Sequence, residues 1–180
     1  MADTDLIEDL VAGRWHDPAT GRPVRMTTRS IVIERSVDGA EAELIAPLDL
    51  GRRLAVISDP NTLDAFGRRV ERALAASAET QGIVLAEPRA DLVAAQELQA
   101  RTQAAEALIA VGSGTINDLC KYVAHRTGRP YAVFATAPSM NGYLTGTASL
   151  AVPPAIAIGL APRIYFQRRH AQVLAERRGA

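Results

Sequence analysis

Short apolar runs alternate with longer amphipathic segments through the middle of the chain, and this alternation constrains the fold more than any other feature. Each run is rich in β-forming residues, and each segment that follows carries apolar residues at helical spacing. Near-continuous apolar strands that alternate with such helices predict a parallel sheet covered on both faces, an α/β fold. The runs are residues 54–58, 82–85, 107–111 and 131–135, and the amphipathic segments are residues 61–76, 90–105 and 115–126.

The segments on either side of this unit have different patterns. Residues 3–11 have the pattern of a capped helix, and residues 30–34 have the pattern of a strand. Residues 151–159 are apolar, and residues 163–178 have the pattern of a basic amphipathic helix. We therefore expect an N-terminal helix and strand extension (1–50), a central α/β domain (51–150) and a C-terminal helical tail (151–180).

Composition narrows the classes of partner. Lys plus Arg and Asp plus Glu both number 20, so the chain has no net positive field that would attract nucleic acid. Residues 131–162 contain no charged residue, but Pro138, Asn141 and Pro153 interrupt every candidate membrane span. The single cysteine, Cys120, and a start without the pattern of a secretory signal favour the cytoplasm. We expect neither nucleic acid nor a membrane as a partner.

A turn with two glycines, Gly112 and Gly114, stands between the third apolar run and the helix predicted after it. We interpret the glycines as positions where the backbone takes positive φ and a ligand approaches without a Cβ in the way. The free N–H groups and the dipole of a helix N-terminus favour a phosphate there. The third glycine position of the dinucleotide fingerprint holds Asn117, and no Gly-Lys-Ser/Thr follows. A tight turn without a ligand therefore remains the alternative.

Two further features lie close to that turn. Lys121 is the only lysine of the chain, and it stands three residues after Asp118, where the two side chains can pair on one helix face. A surface ion pair and a functional pair are both consistent with this spacing. The loop after the fourth apolar run, residues 136–143, carries hydroxyl side chains that can bond a ribose or a phosphate.

Together, residues 112–122 and 136–143 resemble the glycerol-1-phosphate dehydrogenases. These belong to a superfamily with glycerol dehydrogenase, the iron-containing alcohol dehydrogenases and dehydroquinate synthase. The resemblance covers residues 51–149 and implies a Rossmann-like domain that binds NAD or NADP. In full-length members this domain is followed by a helical half that holds a catalytic zinc or iron.

The resemblance also implies roles for individual residues. Asp59 would lie where the ribose or adenine is met, although it suits a helix cap equally well. Asn141 stands where the family usually carries an aspartate that touches substrate, and an amide can bond a hydroxyl but cannot relay a proton. The implied cofactor-binding residues are Gly112, Gly114, Thr115, Ile116, Asn117 and Asp118 at the glycine turn, and Thr136, Ser139 and Thr145 near the nicotinamide.

The activity that the resemblance implies is an NAD(P)-dependent interconversion of dihydroxyacetone phosphate and glycerol 1-phosphate. We expect this chain to be a truncated cofactor-binding half without a metal site, because His16, His125 and His170 have no metal-ligand spacing around them. Its partners would be a dinucleotide, a small phosphorylated polyol, and either a second copy or a separate helical half. A non-catalytic nucleotide-binding module and a dehydroquinate synthase-like lyase are the alternatives.

Overall fold

The computed structural model describes residues 9, 12–23, 28–34, 36–137, 141–143, 148–151 and 164–165. Within them the chain forms a five-stranded sheet in the order β2-β1-β3-β4-β5, and every pair of neighbouring strands is parallel. The strands are β1 (Arg53–Ser58), β2 (Glu79–Val84), β3 (Ala107–Gly112), β4 (Tyr131–Ala135) and β5 (Ile164–Tyr165).

Helices connect the strands. A π-helical segment, Leu63–Gly67, joins the two α-helices that follow β1. A 3-10 turn, Ala46–Leu48, follows the first helix, and another, Asn141–Tyr143, follows β4. The α-helices are α1 (Glu41–Ile45), α2 (Pro60–Thr62), α3 (Arg68–Leu74), α4 (Leu92–Arg101) and α5 (Gly114–Thr127). Among the described residues, no helix is long and apolar enough to cross a membrane.

The sheet is buried on both faces, because alternate residues of each strand point to opposite sides. On one face, α4 and α5 pack against the sheet, with Leu98 and Leu119 touching the layer that contains Ile57. On the other face, α1 and α3 pack against the layer that contains Val56, with Leu44 among the residues that cover it. The α/β fold with helices on both faces is therefore confirmed.

The strand order places a topological switch point between β1 and β3. From β1 the chain proceeds to β2 on one side, and from β3 it proceeds to β4 on the other. The helices that follow, α3 and α5, lie on opposite faces of the sheet. In open parallel sheets, ligands bind in the crevice that this divergence leaves at the carboxyl ends of the strands. The loops after Ser58 and Gly112 are therefore the ones to examine.

Most predicted elements of the central unit are confirmed. The four apolar runs form β1 to β4 and the three amphipathic segments are helical, although β2 begins earlier than predicted, at Glu79. The strand predicted for residues 30–34 is wrong, because these residues form neither a helix nor a strand. Ile31 is buried there while Ile33 is 78% exposed. Ile31 and Ile33 would share one face of a strand, so this burial does not follow a strand pattern. A strand also needs a backbone partner, and a local pattern does not supply one.

The two flanking helices have different outcomes. The helix predicted from residue 163 onward is wrong at Ile164–Tyr165, which form β5 and pair with Tyr131 and Ala132 of β4. The exposed backbone edge of β4 offers these residues hydrogen bonds that the helical pattern does not take into account. The rest of that prediction, and the helix predicted for residues 3–11 except for helical Asp9, lie outside the described residues.

Candidate functional site

The turn between β3 and α5 holds three backbone N–H groups that have no acceptor among the described residues. Ser113 is the N-cap residue of α5, and its side chain makes no capping hydrogen bond. The first backbone bond of the helix runs from Asn117 N to Ser113 O at 2.9 Å. In the part of the chain that the structure describes, the amides of Gly114, Thr115 and Ile116 donate to no protein acceptor. These donors stand at the positive end of the helix dipole, an arrangement that suits an anion.

The glycines of this turn act differently from the sequence-based interpretation. Neither Gly112 nor Gly114 has positive φ, so that part of the prediction is wrong. At Gly112 the reason for glycine is packing, because a Cβ built there would lie 2.7 Å from the Cβ of Ile116. The absence of a side chain lets the end of β3 and the first turn of α5 approach closely. This close approach fixes the direction in which the free amides point.

Two polar side chains of the first turns of α5 are buried. Asn117 is fully buried and donates from Nδ2 to Asp118 Oδ1 at 3.2 Å, while its own Oδ1 has no partner among the described residues. The carboxylate of Asp118 also accepts from the backbone N–H of Ser149, and burial raises its pKa. Ile116 packs into the hydrophobic core, so its side chain is not available to a ligand. An unpartnered buried oxygen at this position is unusual and suits a ligand donor.

Lys121 is also buried, which rules out the surface ion pair with Asp118. Its side chain is fully covered, and Nζ donates to the backbone carbonyl of Gly142 in the 3-10 turn after β4. Burial lowers the pKa of Lys121, and the nearby Asp118 carboxylate opposes that change. The sequence singled out this lysine, but it gave no indication that its partner lies in the next loop.

A second contact ties the same 3-10 turn to β3. The hydroxyl of Tyr143 lies 3.3 Å from the carbonyl oxygen of Gly112 and 3.3 Å from that of Ala137. Thr136, which is exposed at the end of β4, donates from its backbone N–H to Gly112 O at 3.2 Å. The loops after β3 and β4 are therefore joined at Gly112. The sequence analysis missed Tyr143, since a tyrosine in a loop carries no local signal for a distant carbonyl partner.

Asp59 adopts the helix-cap role that the sequence left open. Its side chain accepts from Thr62 N at 2.9 Å, and the Thr62 hydroxyl accepts from Asp59 N, which completes a capping box. Its role at the ribose stays a prediction. The preceding residue, Ser58, was missed; its hydroxyl is buried without a partner among the described residues, at the carboxyl end of β1.

The remaining predicted residues are only partly described. Ser139 and Thr145 lie outside the described residues, and of Asn141 the structure describes only the backbone, in the 3-10 turn. Within the described ranges, no group of three His, Cys, Asp or Glu side chains could hold a metal ion. The donors that are present, backbone amides at a helix N-terminus, fit a phosphate group.

Comparison with known proteins decides the family. Residues 32–162 match the family described as iron-containing alcohol dehydrogenase. The chain belongs to this family. The resemblance seen in the sequence is thereby confirmed.

Curated relatives of this iron-containing alcohol dehydrogenase family member are glycerol-1-phosphate dehydrogenases (NAD(P)+). That of Pyrococcus furiosus is 27% identical over 122 residues, 68% of this chain and 35% of the relative. That of Bacillus licheniformis is 35% identical over 106 residues, 55% of this chain and 26% of the relative. The chain thus spans about a third or less of the length of these relatives.

Solved structures share the fold. Glycerol dehydrogenase from Schizosaccharomyces pombe matches 72% of this chain and 35% of its own, with a TM-score of 0.59 and 19% identity. A 2-deoxy-scyllo-inosose synthase complexed with carbaglucose-6-phosphate, NAD+ and Co2+ matches 77% of this chain and 42% of its own, with a TM-score of 0.61 and 17% identity. At these identities the likeness concerns the fold alone.

Proposed function

We propose that this chain binds NAD or NADP at the N-terminus of α5, as the cofactor-binding part of an oxidoreductase of the sn-glycerol-1-phosphate dehydrogenase type. The complete enzyme would interconvert dihydroxyacetone phosphate and glycerol 1-phosphate. The observation that carries the proposal is that the backbone N–H groups of Gly114, Thr115 and Ile116 have no acceptor among the described residues. They lie at the switch point of the sheet. The curated relatives support the substrate class, since they are glycerol-1-phosphate dehydrogenases.

The chemistry of the turn suits a pyrophosphate. Each phosphate oxygen would accept charge-assisted hydrogen bonds, which are about twice as strong as neutral ones. Ser113 leaves the amides free because its side chain does not cap them. The buried Oδ1 of Asn117 would accept from a ribose hydroxyl or an amide N–H of the cofactor. Backbone N–H donors and the unpartnered Asn117 Oδ1 acceptor together match a ligand with both phosphate and hydroxyl groups.

The residues described here bind and orient the cofactor. A bound nicotinamide supplies or accepts the hydride, and in the complete family a zinc or iron site accompanies it. Because no described group of side chains could hold that metal, we assign this chain no step that uses it. The partners we propose are a dinucleotide and a small phosphorylated polyol.

The two alternative functions make different demands. A lyase of the dehydroquinate synthase type shares the fold, but no curated relative cited above has that activity. A non-catalytic nucleotide-binding module would bind dinucleotide without turnover. Oxidation of NADH with dihydroxyacetone phosphate by this chain, followed by absorbance, would exclude that module.

The binding site is tested by changing the charge at Ser113 alone. Ser113→Asp places a carboxylate next to the free amides, and Ser113→Asn is a neutral control of the same shape. Both residues are good N-caps, so neither change should lower the free energy of unfolding. Coulomb repulsion between two negative charges a few ångströms apart should weaken NADH binding by about tenfold or more in Ser113→Asp.

The measurement is a nicotinamide fluorescence titration with NADH and NADPH. Because both new side chains can cap the same amides and differ only in charge, we expect Ser113→Asp to bind NADH much more weakly than Ser113→Asn, at an unchanged or higher Tm than the wild type. Equal affinity in the two variants would show that the phosphates lie elsewhere. Comparison of NADH with NADPH gives the cofactor preference.

A further inference from the structure

Burial of the Lys121 ammonium costs free energy, and interactions inside the protein must offset that cost. Taking an ammonium group out of water is unfavourable unless it gains partners, and an apolar side chain would fill the same volume without that cost. Lys121 gains the carbonyl of Gly142 and the nearby Asp118 carboxylate. Lys121 is the only lysine of the chain, whereas arginine stands at every other position of the Lys-plus-Arg total of 20, so the compact ammonium is used only here.

Asp118 and Lys121 contact the segment after β4 at two separate places. Lys121 donates to Gly142 O, and Asp118 accepts from the backbone N–H of Ser149. Gly142 follows Lys121 by 21 residues, and Ser149 follows Asp118 by 31 residues. Tyr143 adds a third contact, to Gly112 O at the glycine turn itself. The first turns of α5 thus hold the loop after β4 in a fixed relation to the free amides.

We propose that Lys121 is a positioning residue that holds the Asn141–Tyr143 turn against α5, and thereby fixes the loop after β4, which contains Thr136, the residue expected near the nicotinamide end of the cofactor. The inference rests on the proposed function, in which the phosphates bind at the amides of Gly114 to Ile116. Lys121 touches no phosphate in this account. It acts through the backbone of Gly142, and Tyr143 acts through Gly112 in the same way.

Loss of the Lys121 ammonium should change the affinity for NADH more than the affinity for ADP-ribose. Lys121→Met keeps the length and apolar stem of the side chain but cannot donate to Gly142 O. We expect it to weaken NADH binding by about tenfold, the effect of one buried charged hydrogen bond. ADP-ribose has the same phosphates but no nicotinamide, so its affinity should change by less than about twofold.

Two further variants accompany the test. Arg129→Met removes a different half-buried cation, which follows the C-terminal end of α5. Arg129 donates hydrogen bonds to Thr102 and Ala105. This variant should leave the ratio of the two affinities unchanged even if it lowers the Tm. Tyr143→Phe removes only the hydroxyl that contacts Gly112 O, and should produce a smaller loss for NADH, about threefold, again with ADP-ribose spared.

The measurement is isothermal titration calorimetry of the full chain and these variants with NADH and with ADP-ribose. A selective loss of NADH affinity in Lys121→Met, with Arg129→Met unchanged in ratio, supports the positioning role. Equal losses for both ligands, or none, would overturn it while the proposed function stands. If Lys121→Met does not fold, a wild-type affinity ratio in Tyr143→Phe overturns it. A wild type that binds neither ligand overturns the proposed function and this inference together.

Discussion

Gly112 allows β3 and α5 to pack closely because it has no side chain. Its Cβ would lie 2.7 Å from Ile116 Cβ and 2.9 Å from Ile116 Cγ1. Because Ile116 Cβ is fixed to the backbone of α5, that atom cannot move aside without the helix. The glycine was predictable from the sequence, but its reason was not, since the contact depends on how a helix packs on the strand before it.

We therefore predict that Gly112→Ala destabilises the fold by about 2 kcal/mol, the usual cost of overpacking. Urea denaturation measures the free energy of unfolding. Ile116→Ala removes Cγ1 and Cγ2 but keeps the Cβ, so in a double-mutant cycle the double variant should lose less stability than the sum of the two single losses. Additive effects of the two changes would contradict a direct clash.

Glu106 joins the starts of β1 and β3 through a carboxylate. It accepts from the backbone N–H of Arg53 at 2.9 Å and from that of Arg52, and these two bonds are the main reason its pKa is lowered. A lowered pKa in the folded state means that the carboxylate stabilises the fold above its unfolded pKa. This stabilisation is lost as the pH falls through the folded pKa.

Glu106→Gln is therefore predicted to be less stable than the wild type near neutral pH and to approach it in acid. Protonated Glu106 resembles glutamine, so the difference between the two urea midpoints should shrink between about pH 7 and about pH 3. A difference that stays constant over that range would show that the ionised carboxylate is not what stabilises these two strands.

Lys121 illustrates why the candidate site was only partly predictable. Helical periodicity places Asn117 and Lys121 on one stripe of α5, beside the apolar stripe that includes Leu119 and Val123. Whether that stripe is buried depends on the Gly142 turn, which packs on it from 21 residues further along. The sequence pattern within one helix does not show whether a distant segment packs on that helix.

At the scale of elements, Arg129 links the ends of two helices. Its guanidinium donates to the carbonyls of Thr102, at the end of α4, and of Ala105, the latter at 3.0 Å. It also donates to the hydroxyls of Thr102 at 3.1 Å and of Thr127 at 2.8 Å. Burial lowers the pKa of Arg129, yet the four acceptors satisfy most of its donors.

Replacing Arg129 by methionine should lower the free energy of unfolding by about 2 to 3 kcal/mol, because partly buried carbonyls then lose a charged donor. Arg126→Met is the matched control, since Arg126 is an exposed residue in the last turn of α5, three residues before Arg129. Its effect should stay within about 0.5 kcal/mol. Thermal denaturation followed by circular dichroism compares the two. Similar losses in both variants would contradict the link between α4 and α5.

Elements of the central unit were predictable because their patterns are both local and strong. The run Ala107–Gly112 is buried along its whole length, as a strand covered on both faces must be. Ile164–Tyr165 and residues 30–34 were mispredicted because pairing partners decide strands, and partners lie far away in the sequence. A short segment at a sheet edge is most sensitive to that choice.

At the scale of the molecule, the order of the strands creates the candidate site. The central neighbours β1 and β3 send their helices to opposite faces, which opens a crevice where the loop after Ser58 meets the turn after Gly112. The alternation of strands and helices predicts a parallel sheet, but strand order is a property of tertiary pairing. It was therefore the structure that located the switch point.

If a dinucleotide phosphate binds the free amides at the start of α5, the NMR signals of these amides should shift during titration of the labelled chain with NADH, because each backbone N–H gives its own signal. We expect the largest shifts at Gly114, Thr115 and Ile116, and little change at Gly128 and Arg129 beyond the other end of α5. Unchanged signals at the first three residues while NADH binds, or shifts that are no larger there than at Gly128, would contradict binding at these amides.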